Sequence, residues 1–157
     1  MEQLENMEEI EALQTELGQF LVSIIPVPWK KICFYVRCAQ GYSETWFAFI
    51  EKETDVICVQ DFFWDRYQCD LPKRMIVFKK FGTLSKSLYQ AYLGRFGAEK
   101  MWQSVYYTVE ADGTVHIDFG YEQLPGTSIE QYNAVYRKFF GTEYQYYRTK
   151  YPSTERK

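Results

Sequence analysis

The sequence predicts an α+β domain, in which an antiparallel β-sheet of about five strands is packed against an N-terminal, a central and a C-terminal helix. Two observations predict this fold. In three segments, apolar residues recur at steps of three and four, which is typical of amphipathic helices. Beside these segments lie short runs rich in β-branched and aromatic residues, as strands are. The chain of 157 residues has neither an internal repeat nor a linker, so we predict one domain over residues 1–157.

The N-terminal helix is predicted over residues 3–24, where a single apolar stripe faces away from most of the glutamates. The stripe consists of Leu4, Met7, Ile10, Leu13, Leu17, Phe20, Leu21 and Ile24. Pro26 ends the helix, because the residue before a proline is pushed out of the α region. Residues 1–28 contain six Glu and no Lys or Arg, so this helix is strongly acidic.

Three strands are predicted next, over residues 31–38, 44–51 and 56–59. The links between them are short, which favours an antiparallel meander. Residues 61–67 read Asp-Phe-Phe-Trp-Asp-Arg-Tyr and are predicted to form a loop after the third strand. This loop combines aromatic rings with carboxylates, as protein interfaces often do.

A central helix is predicted to begin after Asp70, whose carboxylate can cap it. Its buried stripe consists of Val77, Phe81, Leu84, Leu88 and Tyr92. Gly82 and Thr83 lower the helix propensity at its middle, which allows a kink there. Gly94 and Gly97 are the expected end of the helix.

The last third of the chain predicts a hairpin and a helix. The hairpin strands are residues 102–109 and 114–120, joined by an Asp-Gly turn. Thr127 and Glu130 form a capping box for a helix over residues 128–140. Its apolar stripe consists of Ile129, Tyr132, Tyr136 and Phe139.

Residue patterns that carry catalysis are missing from the sequence. The four cysteines and the single histidine do not match the spacing of a zinc site. No glycine-rich loop precedes a helix with the Lys and Ser or Thr of a phosphate site. His116 and Asp118 share one strand face, but no nucleophile accompanies them, so we interpret them as a surface polar pair. The sequence therefore predicts a binding protein that is not an enzyme, with no metal, cofactor or small-molecule substrate.

Two further patterns bear on the location of the protein. No apolar run approaches the ~20 residues that a membrane span requires. The N-terminus has no basic region before an apolar stretch, which excludes a typical secretory signal. We predict a cytoplasmic protein without a membrane partner.

The charge distribution leaves a second function class open. Residues 71–98 contain six basic residues and no acidic ones, in contrast to the acidic N-terminal segment. Over residues 73–95, basic and aromatic side chains alternate, which is also found in nucleic-acid-binding surfaces. The alternative to a protein-binding function is therefore a nucleic-acid-binding module that uses this helix, with Lys79, Lys80 and Lys86 as its cations.

Several short motifs resemble the YezG-like immunity (antitoxin) family, which includes the EsaG type. The first motif is residues 25–32, a proline–tryptophan entry into the first strand after an acidic helix. Further motifs are Met101-Trp102, the Asp112-Gly113-Thr114 turn, residues 116–122 and residues 136–141. The resemblance implies a small cytoplasmic protein that binds and neutralises a toxin, often the nuclease domain of a secreted polymorphic toxin.

The predicted toxin-binding surface combines the 61–67 loop with the end of the last strand. Its residues are Asp61, Trp64, Asp65, Asp118, Tyr121 and Glu122. The carboxylates are expected to pair with the Lys and Arg residues with which a nuclease holds phosphates, while the two rings supply rigid contact area. The alternative is that Trp64 and Tyr121 belong to the core and the acidic residues are only solvated.

Overall fold

The backbone is described for residues 2–39, 42–121 and 128–141 of a computed structural model, with side chains for 7–38, 44–121 and 130–141. Four helices and five strands make up this part of the chain, so the predicted α+β class is confirmed. In chain order the elements are α1 (Glu2–Ile24), β1 (Trp29–Ala39), β2 (Tyr42–Glu51), β3 (Ile57–Val59), α2 (Gln60–Arg66), α3 (Leu71–Phe96), β4 (Ser104–Glu110), β5 (Val115–Gly120) and α4 (Ser128–Phe140).

The strands form one antiparallel sheet in the order β3-β2-β1-β4-β5, with β1 at its centre. Phe34 of β1 lies between Phe47 of β2 and Tyr107 of β4. Residues 32–36 of β1 are at most 1% exposed, and their side chains alternate between the two faces of the sheet. A strand that is buried on both faces requires helices on both sides, which gives three layers.

Helices α1, α2 and α3 cover the first face of the sheet. The ring of Phe81 in α3 lies 4.7 Å from that of Phe34 and 5.6 Å from that of Phe47. All five residues of the predicted α3 stripe are buried. Lys80 Nζ of α3 lies 2.8 Å from a carboxylate oxygen of Glu16 in α1, so the acidic and the basic helix are neighbours in one layer.

Helix α4 covers the second face. Tyr136 is fully buried, and its hydroxyl donates a hydrogen bond to the backbone carbonyl of Phe47 at 3.0 Å. The ring of Phe139 packs 5.4 Å from that of Tyr106 in β4. The predicted end of this helix at residue 140 is confirmed, since the next residue, Gly141, takes the left-handed φ of 60° that a helix end favours.

One local prediction was wrong. Residues 61–67 are not a loop, because Gln60–Arg66 form helix α2. Its buried residues Gln60, Phe63 and Trp64 follow helical spacing, and the sheet edge that they pack against decides the conformation.

Helix α3 runs through Gly82 without a break, since the packed residues on either side hold it. Its predicted cap is confirmed: the Asp70 carboxylate accepts a hydrogen bond from the backbone N–H of Lys73 at 2.9 Å.

Gly18 and Gly82 are expected to respond in opposite directions to substitution by alanine. A Cβ at Gly18 would lie 2.7 Å from the hydroxyl oxygen of the buried Tyr107, whereas one at Gly82 would meet nothing within 4 Å. We expect Gly18→Ala to lower the free energy of unfolding by about 1–3 kcal/mol through overpacking. Gly82→Ala is expected to raise it by about 0.5–1 kcal/mol through helix propensity. Urea denaturation measures both; stabilisation by Gly18→Ala would contradict the close approach of α1 to β4.

Candidate functional site

A buried carboxylate anchors helix α2 to the end of β2. Glu51 is 4% exposed and accepts hydrogen bonds from Arg66 Nε at 2.5 Å and Nη2 at 2.8 Å. The hydroxyls of Thr54 and Tyr67 also donate to it. Burial raises the pKa of the Glu51 carboxyl, but these hydrogen bonds outweigh it, so its pKa lies below the usual 4.5. The cluster therefore fixes the C-terminal end of α2.

Trp64 points from α2 into the core and is only 5% exposed. Its ring lies 5.7 Å from that of Phe47 on the sheet and 5.3 Å from that of Phe78 on α3. The guanidinium of Arg74 stacks over it at 5.8 Å. Trp64 is therefore not the exposed contact residue that was predicted from the sequence. Instead, it packs beneath Phe78 and Arg74 of α3.

Asp61 and Asp65 lie on the outer side of α2 and are exposed. They are four residues apart, so their carboxylates share one side of the helix. Their position next to Trp64 puts them beside the N-terminal half of α3, whose Phe78 packs against the same ring. Both acids are exposed, and their part in toxin binding stays a prediction.

The N-terminal half of α3 carries apolar side chains on its outer face as well as its inner face. Leu71, Met75 and Phe78 follow the i, i+4, i+7 spacing of one helical stripe and are 64%, 62% and 40% exposed. Contiguous exposed apolar residues with polar neighbours are a mark of protein interaction sites. This stripe is absent from the predicted surface, although apolar residues on both sides of a helix were a readable signal. Together, Asp61, Asp65, Leu71, Met75 and Phe78 form what we call the α2–α3 surface.

The second half of the predicted surface lies at the opposite edge of the sheet. Asp118 is on β5, 3.0 Å from Lys138 Nζ of α4, and Tyr121 follows β5 with 59% of its side chain exposed. Since β3 precedes α2 at one edge and β5 forms the other, four strand spacings, about 19 Å, separate the two edges. The structure therefore does not bring Asp118 and Tyr121 together with Asp61 and Asp65. Glu122 lies outside the described residues.

The polar pair on β5 is divided between two other partners. His116 Nε2 lies 3.8 Å from a carboxylate oxygen of Glu110, while Asp118 faces Lys138. Both side chains are about two-thirds exposed. They are surface groups of the α4 side of the sheet.

The basic residues of α3 do not form one face. Arg74 stacks on Trp64, Lys80 pairs with Glu16, and Arg95 lies 4.9 Å over the ring of Phe96. Lys79 and Lys86 are exposed and seven residues apart, on the outer side of the helix. This distribution offers less continuous positive charge than the basic stripe with which proteins bind nucleic acids.

The four thiols are free and buried. Burial raises the pKa of Cys38 to about 11, and it raises that of Cys33 and Cys58 further. The thiols of Cys33, Cys38 and Cys58 therefore stay protonated at neutral pH and are poor nucleophiles. Among the described residues, no group of three or more His, Cys, Asp or Glu side chains could hold a metal ion. None of the helices, searched over the same residues, is both long and apolar enough to cross a membrane.

Comparison with known proteins identifies the family. The profile described as "Immunity protein YezG-like" matches residues 10–151, which is most of the chain. No curated protein sequence matches it. The match begins within α1 and covers the whole sheet and helices α2 to α4, so it includes the α2–α3 surface. The chain belongs to the YezG-like immunity protein family.

Proposed function

We propose that the chain is the antitoxin of a secreted polymorphic toxin, and that it neutralises a nuclease domain of that toxin by covering its active site. Membership of an immunity protein family supports a toxin partner in general. Such a role requires a stable binding surface and no catalytic group. In this proposal the protein acts in the cytoplasm of the producing cell, before the toxin is exported.

The observation that carries the proposal is the exposed apolar stripe of α3 beside the two acids of α2. Interfaces typically have an apolar centre and a polar rim. Leu71, Met75 and Phe78 supply such a centre, while Asp61 and Asp65 supply an acidic rim on one side. Trp64 packs against Phe78 and Arg74 from beneath, so these two side chains are held in place before binding, which lowers the entropic cost of ordering them.

A nuclease is the favoured partner because of the acids. Enzymes that act on nucleic acids hold phosphates with Lys and Arg side chains. Carboxylates at the rim of the α2–α3 surface can pair with these cations and speed association. An interface of standard size, ~1,600 Å² in total, is large enough to bury an active site. In this proposal the other predicted residues, Asp118, Tyr121 and Glu122, lie outside the primary contact.

Met75→Asp and Asp65→Lys are each expected to weaken toxin binding, by at least about 30-fold for Met75→Asp, which corresponds to about 2 kcal/mol. Met75→Asp places a charge at the apolar centre, and Asp65→Lys places a cation against the cations of the toxin. The measurement is calorimetric titration with the cognate toxin domain, paired with an assay of its nuclease activity. Because both side chains are exposed, thermal midpoints should change little.

Met7→Asp is the matched control, since Met7 is 45% exposed on α1 and lies at the far end of α3, beside Arg95. It should bind the toxin as the parent does. Parental affinity in both α2–α3 variants would exclude this surface. DNA binding at low salt that disappears in a Lys79→Ala, Lys80→Ala and Lys86→Ala triple variant would instead support the nucleic-acid alternative.

A further inference from the structure

The outer edge of β5 offers backbone groups for pairing. The N–H of Glu110 donates to the carbonyl of Thr114 at 2.8 Å, and the N–H of Gln103 donates to that of Gly120 at 2.7 Å. Bonded pairs alternate along an antiparallel ladder, so the even-numbered residues of β5 bond to β4. The backbone N–H and C=O groups of Val115, Ile117 and Phe119 therefore point outward in the plane of the sheet, away from β4. In the part of the chain that the structure describes, no other strand pairs with them.

The sequence of β5 is complementary to itself. Antiparallel pairing of two copies about Ile117 places position 116 opposite 118 and position 115 opposite 119. His116 of each copy then faces Asp118 of the other on the α4 side, where both side chains are exposed. On the other side, the exposed Val115 faces the half-buried Phe119. Opposite charges and apolar pairs directly across strands both stabilise a sheet.

The surrounding charges favour the same register. Glu110 lies beside His116, and Lys138 lies beside Asp118. When His116 is protonated, charges of alternating sign follow one another across the joined edge. They belong to Glu110 and His116 of one copy and then to Asp118 and Lys138 of the second copy. Moving the register by two residues places either His116 against His116 or Asp118 against Asp118. Like charges directly opposite each other destabilise a strand pair.

We propose that this edge binds a second copy of the chain, with the two β5 strands antiparallel about a two-fold axis at Ile117, which joins two five-stranded sheets into one. A second copy is the occupant because the strand complements itself, as an isologous interface requires. The α2–α3 surface lies at the other edge of the sheet and stays free in this dimer. The proposal therefore holds or fails independently of the toxin contact.

Sedimentation of the full chain over a wide concentration range tests the dimer. His116→Asp should raise its dissociation constant about tenfold, since it creates two like-charge contacts per dimer. Adding Asp118→Lys to His116→Asp restores opposite charges across the two strands. Each new side chain then lies beside a like charge of its own copy, Glu110 or Lys138, so the double variant should recover part of the roughly tenfold loss and bind more tightly than His116→Asp alone. Glu53→Lys is the control, because Glu53 is exposed in the turn after β2, away from β5. It should leave dimerisation unchanged.

Three outcomes would overturn the proposal. The first is a chain that stays monomeric at every concentration. The second is a dimer that His116→Asp leaves unchanged, which would put the interface elsewhere. The third is a monomer whose toxin affinity falls in His116→Asp, which would assign the edge to the toxin. If circular dichroism shows that His116→Asp perturbs the fold, Val115→Asp replaces it, because it puts a carboxylate against Phe119 of the second copy and should weaken the dimer similarly.

Discussion

Arg66→Ala is expected to lower the free energy of unfolding by about 1–3 kcal/mol at neutral pH, because it removes the cation and two hydrogen bonds from the largely covered carboxylate of Glu51. Glu51 is 4% exposed, but the Arg66 side chain is 31% exposed, so water enters the space that it leaves and replaces part of its two hydrogen bonds. The hydroxyls of Thr54 and Tyr67 remain but carry no charge. Domains are stable by about 5–15 kcal/mol, so the loss is a large fraction of the total.

The effect of Arg66→Ala should depend on pH. In the parent, the folded-state pKa of Glu51 lies below its usual 4.5, so this group stabilises the fold above that pH. Its contribution is lost as the pH falls through the folded-state pKa. In the variant the carboxyl is buried without the cation and is easily protonated. The difference in unfolding free energy between parent and variant should therefore shrink below about pH 4.5.

Urea denaturation at pH 7 and pH 3.5 measures both parts of this prediction. Lys30→Ala is the control, because the Lys30–Asp55 pair in the same region is largely exposed. Removing that pair should cost under about 1 kcal/mol at either pH. A loss below 1 kcal/mol for Arg66→Ala as well would show that the buried cluster does not stabilise α2.

Trp64→Ala is expected to lower the free energy of unfolding by about 3–5 kcal/mol, since it empties a site between the sheet, α2 and α3. The side chain is 5% exposed and packs against Phe47, Phe63 and Phe78. Trp64→Ala should weaken toxin binding only indirectly, through the fraction of the variant that is unfolded or through a loss of order in the α2–α3 surface. A Trp64→Phe variant keeps part of the ring and should recover part of the stability.

Phe78→Ala separates folding from binding. Phe78 touches Trp64 but is 40% exposed, so we expect a loss of about 1 kcal/mol or less in stability. Its loss at the apolar centre should weaken toxin binding by about 2 kcal/mol. For Phe78→Ala and Trp64→Ala, chemical denaturation measures the stability and calorimetric titration measures the toxin affinity. An unchanged thermal midpoint in Trp64→Ala would contradict its place in the core.

Binary patterning in the sequence was enough to predict the elements that depend on a single amphipathic face. The α3 stripe from Val77 to Tyr92, the Asp70 cap and the β4–β5 hairpin follow local rules of spacing, capping and turn chemistry. The family resemblance was also readable from short motifs, and the profile match over residues 10–151 confirms it. Such features are local, so neighbouring residues suffice to predict them.

Tertiary structure alone decided what the aromatic residues do. The 61–67 segment has both a helical spacing and an acidic, ring-rich composition, and only packing against the sheet turned it into α2 with Trp64 inside. Strand order likewise separated Asp118 and Tyr121 from Asp61 and Asp65, because β1 pairs with both β2 and β4 and places β3 and β5 at opposite edges. Sequence distance does not encode that separation, since strand order depends on long-range pairing. The apolar spacing of Leu71, Met75 and Phe78 is readable in the sequence, but their exposure was decided only when α1, α2 and the sheet covered the other face of α3.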